Sequence, residues 1–167
     1  MGILTPITDA YRREVVPRFI DKACGSAAMK QGRDAAAAGL TGVVVEIGFG
    51  SGHNVPFYPS TVTAVAAIEP ADVGWQLASK RLASATVPVE RTGLDGQSLP
   101  LDDDSCDTAL STWTLCTIPD VAVALGEVRR AVRWTSNLAH GKRDVRQTLT
   151  KAEFVEGGTI GPVPKVG

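Results

Sequence analysis

Apolar positions along this chain follow two periods, and the places where one gives way to the other outline its elements. From Ile7 to Ala23 they recur at Ile7, Tyr11, Val15, Phe19 and Ala23, one face of a helix, with Pro17 placed to break it into two short pieces. A third helix is expected from Ala27 to Ala38, ended by the turn at Gly39 and Gly42. Val43-Val44-Val45-Glu46-Ile47 is then a β-branched run suited to a strand buried on both faces. Val62 to Ile68 repeats that pattern, and Val73, Leu77, Ala78 and Leu82 mark the inner side of a following helix. Val87 to Arg91 reads as a short third strand and Asp107 to Trp113 as a fourth. Pro119 opens a last helix striped by Val121, Leu125, Val128 and Val132.

Strands alternating with helices imply right-handed crossovers and a mainly parallel sheet, with ligands beyond the carboxyl ends of the strands. The expected fold is α/β, a Rossmann-like, doubly wound sheet in one domain. Residues 1–42 are expected to form an N-terminal helical cap, 43–132 the ligand-binding core and 133–167 a divergent polar tail.

Composition limits the partners. The 167 residues carry 17 Lys plus Arg against 18 Asp plus Glu, a formal charge of −1, with no basic block. A nucleic-acid backbone or an anionic membrane surface finds no electrostatic footprint here, so neither nucleic acid nor membrane is expected. No apolar run approaches the roughly 20 residues that cross a bilayer, and the first residues lack the basic start and apolar stretch of a signal peptide, which points to the cytoplasm. Cys24, Cys106 and Cys116 fit neither a disulfide framework nor a zinc knuckle, and reduced thiols, mostly buried, are expected. Asp102 to Asp104 lacks the alternating ligands of a calcium loop and reads as a solvated turn, so no metal is assigned.

Chemistry concentrates after the first strand, in Glu46-Ile47-Gly48-Phe49-Gly50-Ser51-Gly52. Three glycines at alternate positions permit a tight turn with positive φ and let a ligand approach the backbone. A dinucleotide fingerprint would place its third glycine where this chain has His53, which demotes a nicotinamide cofactor without removing it. Glu69 ends the second strand where a carboxylate can accept both hydroxyls of a ribose. Glu46 sets a carboxylate beside the glycine turn, where a pyrophosphate would be repelled and an ammonium welcomed, so the pair favours an adenosine ligand bearing an amino group and no phosphate.

With those residues in hand, the stretch from Val43 to Val132 resembles the class I S-adenosylmethionine-dependent methyltransferases, in particular their type 11 branch. The resemblance implies that Glu46, Gly48, Phe49, Gly50 and Gly52 bind S-adenosylmethionine, Glu46 at its methionine ammonium directly or through water, and that Glu69 takes its ribose. It further implies that Asp95-Gly96, before the Leu99-Pro100 turn, meets the adenine, and that Trp113 ends the fourth strand on the cofactor's reactive side. Phe49, Tyr58 and Trp113 are candidates to line the methyl-transfer region, where an aromatic face favours a cation. His53 is a candidate base or holder of the cofactor's carboxylate, against a simpler role as a solvated helix start. No catalytic residue is assigned, and Trp75 and Trp134 read as packing residues.

In that family the last helix leads into a Pro-Gly-Gly turn and a fifth strand, whereas this chain continues Arg133-Trp134-Thr135-Ser136-Asn137. The C-terminal part is therefore expected to be truncated or divergent, leaving the fourth strand as an edge with unpaired backbone groups. Either the tail covers it, or a second copy of the chain pairs through that edge in a homodimer, or the protein is only marginally stable. The function implied is methyl transfer to a small-molecule acceptor. A cofactor-binding remnant without catalysis, a partner-binding module and a nicotinamide-dependent oxidoreductase stand as alternatives.

Overall fold

The structure, a computed structural model, describes Asp21 and residues 24–133. The two expected helices before residue 24, and the tail beyond Arg133 with Trp134 and His140, lie outside the described residues. In chain order the elements are α1 (Ala27–Ala37), β1 (Gly42–Ile47), a 3-10 turn (Val55–Phe57), β2 (Val62–Ile68), α2 (Asp72–Leu77), α3 (Ser79–Ala83), β3 (Val89–Gly93), β4 (Thr108–Ser111), a second 3-10 turn (Leu115–Thr117) and α4 (Val121–Ala131). The strands form one parallel sheet in the order β3-β2-β1-β4. This is the doubly wound α/β architecture that the alternation predicts.

β1 lies between neighbours on both sides, which explains its unbroken β-branched composition. Val44, with Val65, Ala67 and Leu110, faces a layer made by Ala36 and Ala37 of α1 together with Leu40, Phe49, Val55 and Tyr58. Val45 and Ile47, with Ile68 and Ala109, face Leu99, Val128 and Ala131 on the other side. The strand order reverses between β1 and β4, and such a switch point opens a crevice at the carboxyl ends of the strands.

Several elements depart from the expected pattern for local reasons. The glycine loop leads into a single 3-10 turn rather than a helix at His53, because Pro56 and Pro59 remove amide donors that a helix would need. The third strand runs from Val89 to Gly93 instead of Val87 to Arg91, since Pro88 has no N–H for the ladder and offers only its carbonyl, to Val65 N at 2.9 Å. β4 stops at Ser111, where its partner β1 ends at Ile47. The helix after β2 divides at Ala78, whose N–H is shared between the Gly74 and Trp75 carbonyls. In α4 the buried stripe is Ala124, Val128 and Ala131, capped by Asp120, which accepts from Val123 N at 3.0 Å. Of the three cysteines only Cys106 is buried; Cys24 is half-buried and Cys116 exposed.

β4 ends the sheet among the described residues. Its approach is nonetheless clasped. Cys106 N donates to Ala131 O and Arg133 N to Cys106 O, at 2.9 and 2.7 Å, so that Val132 makes an isolated parallel bridge with Cys106. Arg130 of α4 donates to the Leu99 and Leu101 carbonyls. On the other side Asp107 accepts from Val43 N at 2.8 Å while pairing with Arg133 at 2.9 Å. Gly42 starts β1 at φ +64°, and a Cβ there would overlap the Asp107 carboxylate. Gly42→Ala is thus expected to lower the unfolding free energy by at least about 2 kcal/mol, from left-handed strain and loss of the Asp107 clasp, as read from denaturant midpoints.

Candidate functional site

The loop 48–52 leaves β1 with its first two amides spent on the sheet: Gly48 N and Phe49 N both donate to Ile68 O, at 3.0 and 3.2 Å. This double bond ties the loop across the end of β2. Gly48, at φ +73°, has no room for a side chain because Thr114 occupies that space. Gly50, at φ +58°, differs: a Cβ there would find nothing closer than the Gly48 carbonyl at 3.9 Å. One glycine is therefore demanded by packing, and the other bares backbone to an open crevice.

Glu69 stands beside that opening. Its Oε2 accepts from Gly50 N at 2.6 Å and its Oε1 from Ala71 N at 2.8 Å. Each carboxylate oxygen has a second acceptor position, so two amides fix the group without exhausting it. Arg91 Nε donates to the Glu69 carbonyl at 2.9 Å and its guanidinium lies 6.0 Å from the Trp75 ring centre. Trp75 packs in turn on Phe49, with ring centres 5.2 Å apart. Phe49 accordingly turns its ring into the core, 3% exposed, and does not line the crevice.

Glu46 occupies a different position from the one its sequence context suggests. It is fully buried beneath the loop, accepting from Asn54 Nδ2 at 2.8 Å and from the Tyr58 hydroxyl. Burial pushes its carboxyl up to about 7, against the opposing pull of those two donors and of the Arg33 guanidinium. Arg33 reaches the carboxylate through Asn54, donating to Asn54 Oδ1 at 2.7 Å and to Thr112 Oγ1 at 3.1 Å. The cation facing Glu46 is thus an arginine of the chain itself. Tyr58 is held as a phenol by its burial and by this same neighbouring carboxylate, and it too lies in the core instead of along the crevice.

Trp113 follows β4 in a left-handed conformation, φ +55°, which costs a bulky aromatic of order 1–3 kcal/mol. The Arg33 guanidinium lies 4.5 Å from its ring centre, so the aromatic face already holds a cation. His53 is half-buried in the turn after the glycine loop, with Nε2 2.9 Å from both the carbonyl and the carboxylate of Asp21. Burial, and then Arg81 and Arg33, hold the imidazole below its ordinary pKa, which favours the neutral ring. The solvated helix start is excluded by this placement.

Asp95 is exposed and accepts from Gln97 N at 2.8 Å, closing a turn of its own. Gly96 packs on Ile47, whose Cγ2 would lie 2.9 Å from a Cβ, with Ile118 next to it. Its glycine is explained by close packing at the mouth of β1. Nearby, on the same face of the sheet as Ile47, Ser111 Oγ ends β4 buried and without a hydrogen-bond partner.

The structure places Gly48, Gly50, Glu69 and Gly96 at the carboxyl ends of β1 and β2, and buries Glu46, Phe49 and Tyr58 beneath the loop. Sequence reasoning missed Arg33, Asn54 and Thr112. Arg33 carried a signal, since it lies three and four residues before Ala36 and Ala37 on the apolar side of α1. A cation on such a face requires a polar partner inside the fold.

Residues 45–139 match the family of methyltransferase domains, a stretch that begins after Arg33 and α1. No curated protein matches the chain. Among solved structures, a protein of Methanococcus maripaludis named for S-adenosyl-L-methionine-dependent methyl transfer superposes with TM-score 0.59 and 18% identity, covering 70% of this chain and 57% of that one. A SAM-dependent methyltransferase of Thermotoga maritima gives TM-score 0.55 and 28% identity, over 72% of this chain and 56% of its own. Another, from Aquifex aeolicus, gives 0.54 and 18%, over 81% and 87%. Against the first two, this chain spans just over half the relative's length.

The buried acid has a pH consequence. A carboxyl whose folded pKa is raised from 4.5 to about 7 contributes fully to stability below 4.5 and loses that contribution as pH climbs through 7. Glu46→Gln can accept from Asn54 and donate to Tyr58 without a buried charge. It is expected to raise the unfolding free energy by roughly 2–4 kcal/mol near pH 8 and to give no gain below about pH 4.5, as measured by chemical denaturation across pH.

Proposed function

The chain belongs to the methyltransferase domain family, and on that footing we propose that it binds S-adenosylmethionine across the carboxyl ends of β1, β2 and β4 and directs its methyl group to a small-molecule acceptor. One observation carries this reading. Glu69 is held by two amides beside a glycine whose side-chain space is empty, with acceptor positions left for a pair of hydroxyls.

The residues present fit such a cofactor. Glu69 would take the ribose, the bare backbone at Gly50 would admit the nucleoside closely, and the Gly96 turn with the unpartnered Ser111 hydroxyl would border the base. When bound, S-adenosylmethionine supplies an electrophilic methyl group for in-line displacement by the acceptor. Most of the catalytic task then falls to alignment in a site closed to water.

A carboxylate against the sulfonium would stabilise the ground state more than the transition state, in which that charge disperses. Both acids are kept from such a role. Glu69 is pinned at the edge of the crevice, and Glu46 is consumed by Asn54, Tyr58 and Arg33. Glu46 therefore acts as a positioning residue for the turn 51–58, and Trp113, stacked on Arg33, gives a rigid wall where β4 ends.

The alternative, cofactor binding without turnover, uses the same crevice. Incubation with radiolabelled cofactor and candidate acceptors separates the two, since only an enzyme transfers label. For the binding claim, Glu69→Ala is expected to weaken S-adenosylhomocysteine by at least about tenfold in titration calorimetry, a charge-assisted hydrogen bond being worth about 1.5–3 kcal/mol. Unchanged affinity in a variant of normal melting temperature would remove the ribose role.

A further inference from the structure

A cavity of about 430 Å³ opens between α1, the 55–57 turn and α3, and Lys30, Arg33, His53, Phe57 and Arg81 are part of its wall. Gly50, Glu69 and Gly96 are not, so it is separate from the crevice assigned to the nucleoside. Arg33 belongs to both regions, since its guanidinium also bonds Thr112 and stacks on Trp113 at the end of β4.

The basic side chains of the wall are unequally satisfied. Arg81 pairs with Asp21 at 3.1 Å and donates to the Ser51 carbonyl at 2.8 Å. His53 is spent on Asp21. Lys30 and Arg33 have no carboxylate within ion-pair distance among the described residues; Glu46 faces Arg33 across Asn54, and Cys24 in the same wall hydrogen-bonds it. Arg33 is 6% exposed, and its Nε is buried without a hydrogen-bond partner. A cation in that condition is costly to bury and attracts an anion. Asp21 and Glu46 nearby oppose a second negative charge, so a monoanion fits better than a phosphate dianion. Phe57 and Pro56 supply an apolar wall, and the volume is at the small end of ligand pockets.

We propose that this cavity binds a small organic carboxylate with an apolar body, its charge received by Lys30 and Arg33. Taking that ligand as the methyl acceptor rests on the function proposed above, whereas its binding does not.

The test titrates the full-length protein with benzoate and with its neutral isostere benzamide, followed by ligand-observed NMR, with and without saturating S-adenosylhomocysteine. Benzoate is expected to bind at least about tenfold tighter than benzamide in both conditions. Lys30→Met, at an exposed position, should weaken benzoate about threefold and leave S-adenosylhomocysteine affinity unchanged. Equal binding of the two probes, or no binding of benzoate, overturns the proposal. Displacement of benzoate by S-adenosylhomocysteine also overturns it, by giving these cations to the cofactor's own carboxylate. Should S-adenosylhomocysteine fail to bind while benzoate still discriminates, the cavity's role stands and the cofactor reading falls.

Discussion

A carboxylate shut away from water must be met by donors or give up its charge, and Glu46 poses that requirement at the centre of the sheet. Asn54 and Tyr58, at the two ends of the 55–57 turn, answer it as donors, and Arg33 of α1 answers it from behind Asn54. Satisfying one side chain thereby fixes where the chain goes after the glycine loop, how the 55–57 turn seats, and which face α1 presents. The cost is a side chain that resists ionisation near neutrality; the return is a preorganised floor under the loop. Removing either donor would leave a buried polar group short of partners, which is more damaging than never having buried it.

Above that floor the glycine loop is tied down by its own backbone. Gly48 N and Phe49 N grip β2, Gly50 N grips Glu69, and the side-chain space over Gly50 stays clear. Backbone amides held by a parallel sheet cannot relax toward an incoming ligand, so recognition there relies on fit. The neighbouring cavity is built on the opposite plan, from long charged side chains of α1 and α3. Arg33 joins the two because Thr112 and Trp113, which it contacts, continue directly from β4.

The order of strands and helices was legible because burial on both faces leaves a strong compositional mark, as in Val43 to Ile47 and Val62 to Ile68. Boundaries were less so. Pro88 and Pro56 act through a missing N–H rather than through hydropathy, and shift or shorten their elements accordingly. In the site, Glu69 and the glycine loop could be read because spacing from a strand end fixes their place. Glu46 was read at its place beside the loop, but its partners Asn54 and Tyr58 were not, since no period in the sequence reveals which way a side chain points at a strand's end. Arg33 went unnoticed for a related reason: its partners Asn54 and Thr112 lie 21 and 79 residues away, and only the fold brings them together.

The parallel register also dictates when these groups can meet. β2 follows β1 by a short crossover, whereas Val43 and Asp107, which lock β4 against β1, are 64 residues apart. Loop closure over so long a span costs conformational entropy before any contact repays it. The β1–β2 unit with its glycine loop can therefore consolidate early, but the aromatic wall and the far anchor of the arginine arrive only with the last strand. Recognition in this molecule is a late property of folding, and any fluctuation that releases β4 dismantles it while most of the hydrophobic interior remains intact.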